Sequence, residues 1–132
     1  NRRVSQIFLE KAIRKEVINI HGIDEALDFT YVKDIAKGFV LASIKDNGIG
    51  ETFNITCGNA KTLLEYAQAL KKHFPDLEYK IIERDAFRPK RGTLSIDKAR
   101  KLLSYEPDYD LAKGIDEYVK FVKKYNLISP NK

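Results

Sequence analysis

The chain has no tryptophan, no methionine, one cysteine and four prolines among its 132 residues. A lone thiol, Cys57, excludes an internal disulfide; beside Ile55 it reads as a small buried residue at the end of a strand. No apolar run approaches the ~18 residues a membrane span needs. Asn1-Arg2-Arg3 leads into an amphipathic segment rather than the apolar core of a secretory signal. These two observations lead us to expect a cytoplasmic protein with no membrane partner. Charge of one sign is also missing: 24 basic and 19 acidic residues are interspersed, and the net charge is only +5. That describes a modestly basic surface. With no zinc-finger spacing and no RNA-binding aromatic signature, no nucleic-acid partner is expected. His21 and His73 stand alone in spacing, so no metal site is expected. None of the seven glycines falls in a glycine-rich turn between a strand and a helix, which backbone contact with a dinucleotide pyrophosphate requires. Gly48-Ile49-Gly50 leads into a strand rather than out of one.

What is present suits one soluble core: 43% hydrophobic and 33% charged side chains, in a length that favours a single compact unit. Val4–Arg14 carries a helical apolar stripe, and Val17–His21 alternates as a short strand closed by Gly22. Asp28–Val32 is rich in aromatic and β-branched residues and reads as a strand. A helix over 32–45 follows, with Ile35, Phe39, Val40 and Ile44 along one stripe. Asp34 is read as its structural cap rather than as a catalytic acid. Asp46-Asn47-Gly48-Ile49-Gly50 stops that helix, and Thr52–Cys57 reads as the next strand. Thr62 with Glu65 three residues on forms a capping box for a helix running to about Phe74, where Pro75 ends it. Leu77–Ile82 alternates as a strand. Ser95 can cap a helix over 96–103, and Asp110 opens a last one ending near Tyr125, with 127–132 as a tail. The sum is an α/β fold with a short, partly parallel sheet and about five helices.

The segment Asp28-Phe29-Thr30-Tyr31-Val32-Lys33-Asp34, with Gly38 in the following helix, is the most specific pattern in the chain. It resembles the signature near the start of the C-terminal half of NAD-dependent nucleotide-sugar epimerases and dehydratases, the extended short-chain dehydrogenase/reductase family. Glu51-Thr52-Phe53-Asn54-Ile55, the run Lys90–Ala99, and Leu102–Pro107 followed by Leu111, Gly114 and Ile115 resemble later motifs of that family in the same order. The resemblance covers nearly the whole chain. It implies a UDP-glucose 4-epimerase-like substrate-binding domain over 1–126, a fragment normally appended to an N-terminal Rossmann domain. One departure stands out: Leu27 occupies the place where many members carry an arginine that grips the diphosphate.

By the same resemblance, this part binds the nucleotide diphosphate portion of an NDP-sugar. The backbone around Asn19, Ile20 and His21 would meet the base. Arg3 corresponds to a basic position near the diphosphate and sugar, Asn54 to an amide near the phosphates, and Arg91, with Arg84 and Arg88 close by, to a diphosphate-binding arginine. Planar guanidinium forks and amide donors suit that anion. The resemblance places NAD in the intact enzyme and no cofactor in this chain. The N-terminal Rossmann domain is its expected partner, and a homodimer of the full-length enzyme is compatible with it. Tyr109 and Lys113 match the four-residue spacing of the family's catalytic pair, but Tyr109 precedes the cap Asp110 and the family's pair lies upstream of the signature. No catalytic residue is therefore assigned, and the chain alone is expected to be inactive. A freestanding domain of the same fold that binds nucleotide or protein without catalysis is the alternative.

Overall fold

The computed structural model describes residues 3–84, Phe87 and 89–129. In chain order the elements are α1 (Val4–Ile13), β1 (Ile18–His21), β2 (Ala26–Leu27), α2 (Val32–Ile44), a 3-10 turn (Asp46–Gly48), β3 (Lys61–Thr62), α3 (Leu63–Lys71), β4 (Tyr79–Ile82), α4 (Asp97–Leu103) and α5 (Leu111–Lys124). The expected α/β class with five α-helices and a parallel pairing is what the chain adopts. β1 and β4 form one two-stranded parallel sheet, and β2 and β3 a second two-stranded sheet.

The length argument expects one compact unit, whereas packing divides the chain in two. The first unit holds residues 1–25, 62–90 and 115–132, the second 26–61 and 91–114. In the first, α1 turns Phe8, Leu9 and Ala12 inward, where they are joined by Ile18 and Ile20 of β1, Leu63, Tyr66 and Leu70 of α3, and Ile115, Val119 and Val122 of α5. Phe8 and Tyr66 meet edge to face with ring centroids 5.9 Å apart. The Thr62 capping box forms as read: Thr62 Oγ1 accepts from Glu65 N at 3.0 Å, and Glu65 Oε2 accepts from Thr62 N at 2.7 Å.

The second unit is built on Ile96, Ala99, Leu103 and Tyr105, with Leu41, Ala42, Phe53 and Ile55 packed against them. Ser95 contributes to the start of α4, as its hydroxyl accepts from Asp97 N at 3.3 Å, although the helix begins one residue later than the sequence suggests. Three sequence expectations need correction in this unit. Asp28–Val32 is not a strand, since β2 stops at Leu27. Thr52–Cys57 forms no ladder. The stripe on α2 is not buried: Phe39, Val40 and Ile44 are exposed, and the residues that the helix buries are Asp34 and Gly38. A strand exists only through a neighbouring backbone, so pattern alone overstates it. Gly38 faces inward because Ile55 lies against its Cα, leaving no room for a Cβ.

Candidate functional site

The first unit offers its chemistry at the carboxyl ends of β1 and β4. The register pairs Ile18 with Tyr79 and His21 with Ile82, so both strands finish together. Ile18 N donates to Glu78 O at 3.0 Å and Gly22 N to Ile82 O at 2.9 Å. In a parallel ladder one set of alternate residues serves one neighbour, so residues 18, 20 and 22 bond to β4. The backbone N–H and C=O of Asn19 and His21 therefore point to the opposite edge, which no strand covers among the described residues. Ile20 is fully buried and anchors this edge, while the Asn19 side chain is exposed.

Immediately beyond, Gly22 adopts φ +86°, and the Arg84 side chain lies over its Cα, where an added Cβ would come within 3.1 Å of Arg84 Cβ. Arg84 Nε donates to Glu25 Oε2 at 2.9 Å, and Glu25 is 4% exposed. Local sequence gives no sign of this pairing across 59 positions. It makes Arg84 a guanidinium oriented by a buried carboxylate. Lys90 Nζ stands 3.5 Å from Asp24 Oδ2 in the same unit. Arg3 is the exposed N-cap of α1, with its carbonyl accepting from Ile7 N at 3.0 Å. Arg88 lies outside the described residues.

Asn54 and Arg91 belong to the second unit. Asn54 is exposed and its Nδ2 donates to Ser95 O at 3.1 Å. The loop ahead of α4 is held by two further bonds, Leu94 N to Asp28 Oδ2 at 3.1 Å and Ala60 N to Thr93 Oγ1 at 2.9 Å. Arg91 is exposed at the start of that loop. The expected residues thus fall in two sets, Arg3, Asn19, Ile20, His21 and Arg84 in one unit and Asn54 and Arg91 in the other.

Asp34, read from sequence as a cap for α2, does something else. It is 1% exposed, and its two carboxylate oxygens accept from Asp108 N at 2.8 Å and Tyr109 N at 3.1 Å, staking down a loop 74 positions away. Lys113 sits with Nζ 4.4 Å from the Tyr109 ring centroid and donates to Asp108 O at 2.7 Å. An ammonium over the ring face, bonded to a carbonyl, is packing and not activation of the hydroxyl. Cys57 Sγ contacts Tyr109 O at 3.6 Å, and burial, followed by the carboxylates of Asp28, Asp34 and Asp110, pushes its thiol up, against a nucleophilic role.

Gly58, which leads from 52–57 toward α3, has φ +68°, but Ile96 fills the space above it, with Cδ1 2.9 Å from where a Cβ would stand. No phosphate can approach that backbone. Among the described residues no group of three or more His, Cys, Asp or Glu side chains could hold a metal ion, and no helix is long and apolar enough to cross a membrane.

No protein-family model matches the chain. UDP-glucuronic acid decarboxylase 6 of Arabidopsis thaliana is 29% identical over 117 residues, which cover 86% of this chain and 33% of that protein. An epimerase of the methanogen Methanothermobacter thermautotrophicus superposes with a TM-score of 0.87 at 28% identity, covering 96% of this chain and 39% of that one. UDP-glucose 4-epimerase of Thermotoga maritima, solved with UDP-glucose, superposes with a TM-score of 0.81 at 28% identity, covering 94% and 40%. The chain is therefore a homologue of sugar-nucleotide decarboxylases and epimerases, matching their C-terminal α/β part as the DFTYVKD resemblance implied. It spans about a third of the length of the curated relatives it matches and about two fifths of the solved chains.

Proposed function

We propose that this chain binds the nucleotide diphosphate of an NDP-sugar as the substrate-holding part of an NAD-dependent sugar-nucleotide epimerase, decarboxylase or dehydratase, the remainder of which supplies NAD and the catalytic groups. The observation that carries this reading is the edge of β1 that no strand covers among the described residues. The backbone of Asn19 and His21 offers alternating donors and acceptors, the pattern needed to read the edge of a pyrimidine base, and does so at the carboxyl end of a parallel pair, where α/β folds receive ligands. Arg3, Asn54 and Arg91 are exposed donors suited to phosphate oxygens. Arg84, engaged with Glu25, fixes the Gly22 turn beside the base. With Leu27 unable to grip an anion, Arg91 carries more of the diphosphate.

Titration calorimetry with UDP and with UDP-glucuronic acid tests this. Both should bind, and Arg91→Ala should weaken binding by roughly 1.5–3 kcal/mol, the loss of a charge-assisted contact. Unchanged affinity in that variant would refute the placement of the diphosphate; no heat with either ligand, for the chain alone and for a protein that joins it to a NAD-binding part, would refute the function.

A further inference from the structure

The run 91–95, which leads from Arg91 toward α4, belongs to no helix or strand, and each of its residues is exposed. Burial begins at Ile96. Apolar packing therefore does little to fix this run, and polar ties have to do it. Three such ties fall on successive residues. Thr93 Oγ1 accepts from Ala60 N at 2.9 Å, Leu94 N donates to Asp28 Oδ2 at 3.1 Å, and Ser95 O accepts from Asn54 Nδ2 at 3.1 Å. Asp28 supplies the carboxylate among these partners, and a bond to a carboxylate is stronger than one between neutral groups. The same Oδ2 accepts from Thr56 Oγ1 at 3.0 Å, and Thr56 O accepts from the hydroxyl of the fully buried Tyr105 at 3.0 Å. Thr30 Oγ1 joins the knot, donating to Asp28 O at 3.4 Å and accepting from Cys57 N at 3.1 Å. Asp28 Oδ1 is shut off from solvent, so the carboxylate is turned into the protein and not toward a ligand.

We propose that Asp28 is a positioning residue for Arg91: its carboxylate, anchored to the core through Thr56 and Tyr105, pins the exposed run at Leu94 and holds the backbone of Arg91 where the guanidinium can meet the diphosphate. An arginine already loses side-chain freedom when it grips an anion, and a loose backbone would add its own ordering to the cost of binding. Asp28 removes that second cost in advance without touching the substrate. What Arg91 meets rests on the diphosphate reading, whereas the pinning stands on the geometry.

Titration calorimetry with UDP, on the chain and on the chain joined to a NAD-binding part, tests this together with amide exchange followed by NMR. Asp28→Ala should weaken UDP binding about three- to tenfold, the cost of ordering a loosened run, and should weaken it no further in an Arg91→Ala background. Asp28→Asn keeps an amide oxygen for Thr56 and Leu94 and should recover most of the affinity. The Ala60 amide, which is bonded to Thr93 and not to Asp28, should exchange at least about tenfold faster in Asp28→Ala and near the parent rate in Asp28→Asn. Asp28→Ser, whose hydroxyl is too short to reach Leu94, takes the place of the alanine variant if that one does not fold. Unchanged affinity in Asp28→Ala overturns the proposal. So does an equal loss with and without Arg91, an asparagine variant as weak as the alanine one, or an Ala60 amide that does not respond. If the parent binds no UDP in either form, the diphosphate reading falls, and the Ala60 exchange by itself upholds or overturns the pinning.

Discussion

Asp34 decides how the most recognisable motif in the chain is understood. Its carboxylate is buried and takes two amide donors from Asp108 and Tyr109, bonds to an ionised acceptor that are stronger than neutral ones. Asp34→Ala should destabilise the chain by roughly 2–3 kcal/mol, with Asp34→Asn intermediate because one acceptor oxygen remains. Urea denaturation measures this; a variant as stable as the parent would return Asp34 to the list of candidate chemical groups. That Asp34 is structural was legible in its position, but its partner was not. An Asp at the start of a helix looks like a cap, and nothing local marks a loop 74 residues on. Arg84 was opaque for the same reason, because its basic loop suggests a solvated cation while Glu25, far upstream, orients it.

At the level of elements, all five helices were legible, since their signals are local: a 3.6-residue stripe, a capping box at Thr62, Pro75 as a stop. The strands β1 and β4 were legible to within a residue or two. Asp28–Val32 and Thr52–Cys57 were not, because pairing is a property of two segments and each was read singly. The α2 stripe misled in a similar way: amphipathicity says that a face will be covered, not by what. Gly38 yields an element-scale prediction. Alanine normally stabilises a helix interior by about 1 kcal/mol relative to glycine. Here a Cβ would collide with Ile55 Cγ2 and stand 3.0 Å from Cδ1, and overpacking of that kind costs roughly 1–3 kcal/mol. Gly38→Ala should therefore lower stability, and in an Ile55→Ala background the same change should become neutral or stabilising. A double-mutant cycle by thermal or urea unfolding checks the coupling.

For the whole molecule, each unit carries one deeply buried phenol, Tyr66 in the first and Tyr105 in the second. Burial is the main cause that raises both, Tyr105 to about 12 and Tyr66 further. The unfolded chain would lose these protons near pH 10 while the folded chain keeps them. The folded state thus binds more protons in that window, and stability must fall as pH rises from about 10 to about 12, these groups adding no pH dependence below it. Tyr105→Phe, which removes a phenol donating to Thr56 O, should flatten part of that decline at some cost near neutrality. With no tryptophan present, tyrosine absorbance near 295 nm reports both the ionisation and the unfolding. A decline equally steep in the variant would show that Tyr105 is not its source.

The Gly22 turn has a consequence for engineering this chain toward other ligands. Because Arg84 is laid across that glycine and held by Glu25, the turn, the guanidinium and the carboxylate form one part that must be exchanged together. Replacing any one alone would strand a buried charge or force a side chain into a left-handed backbone, so libraries that probe the proposed base contact should vary Asn19 and His21 and leave this trio intact.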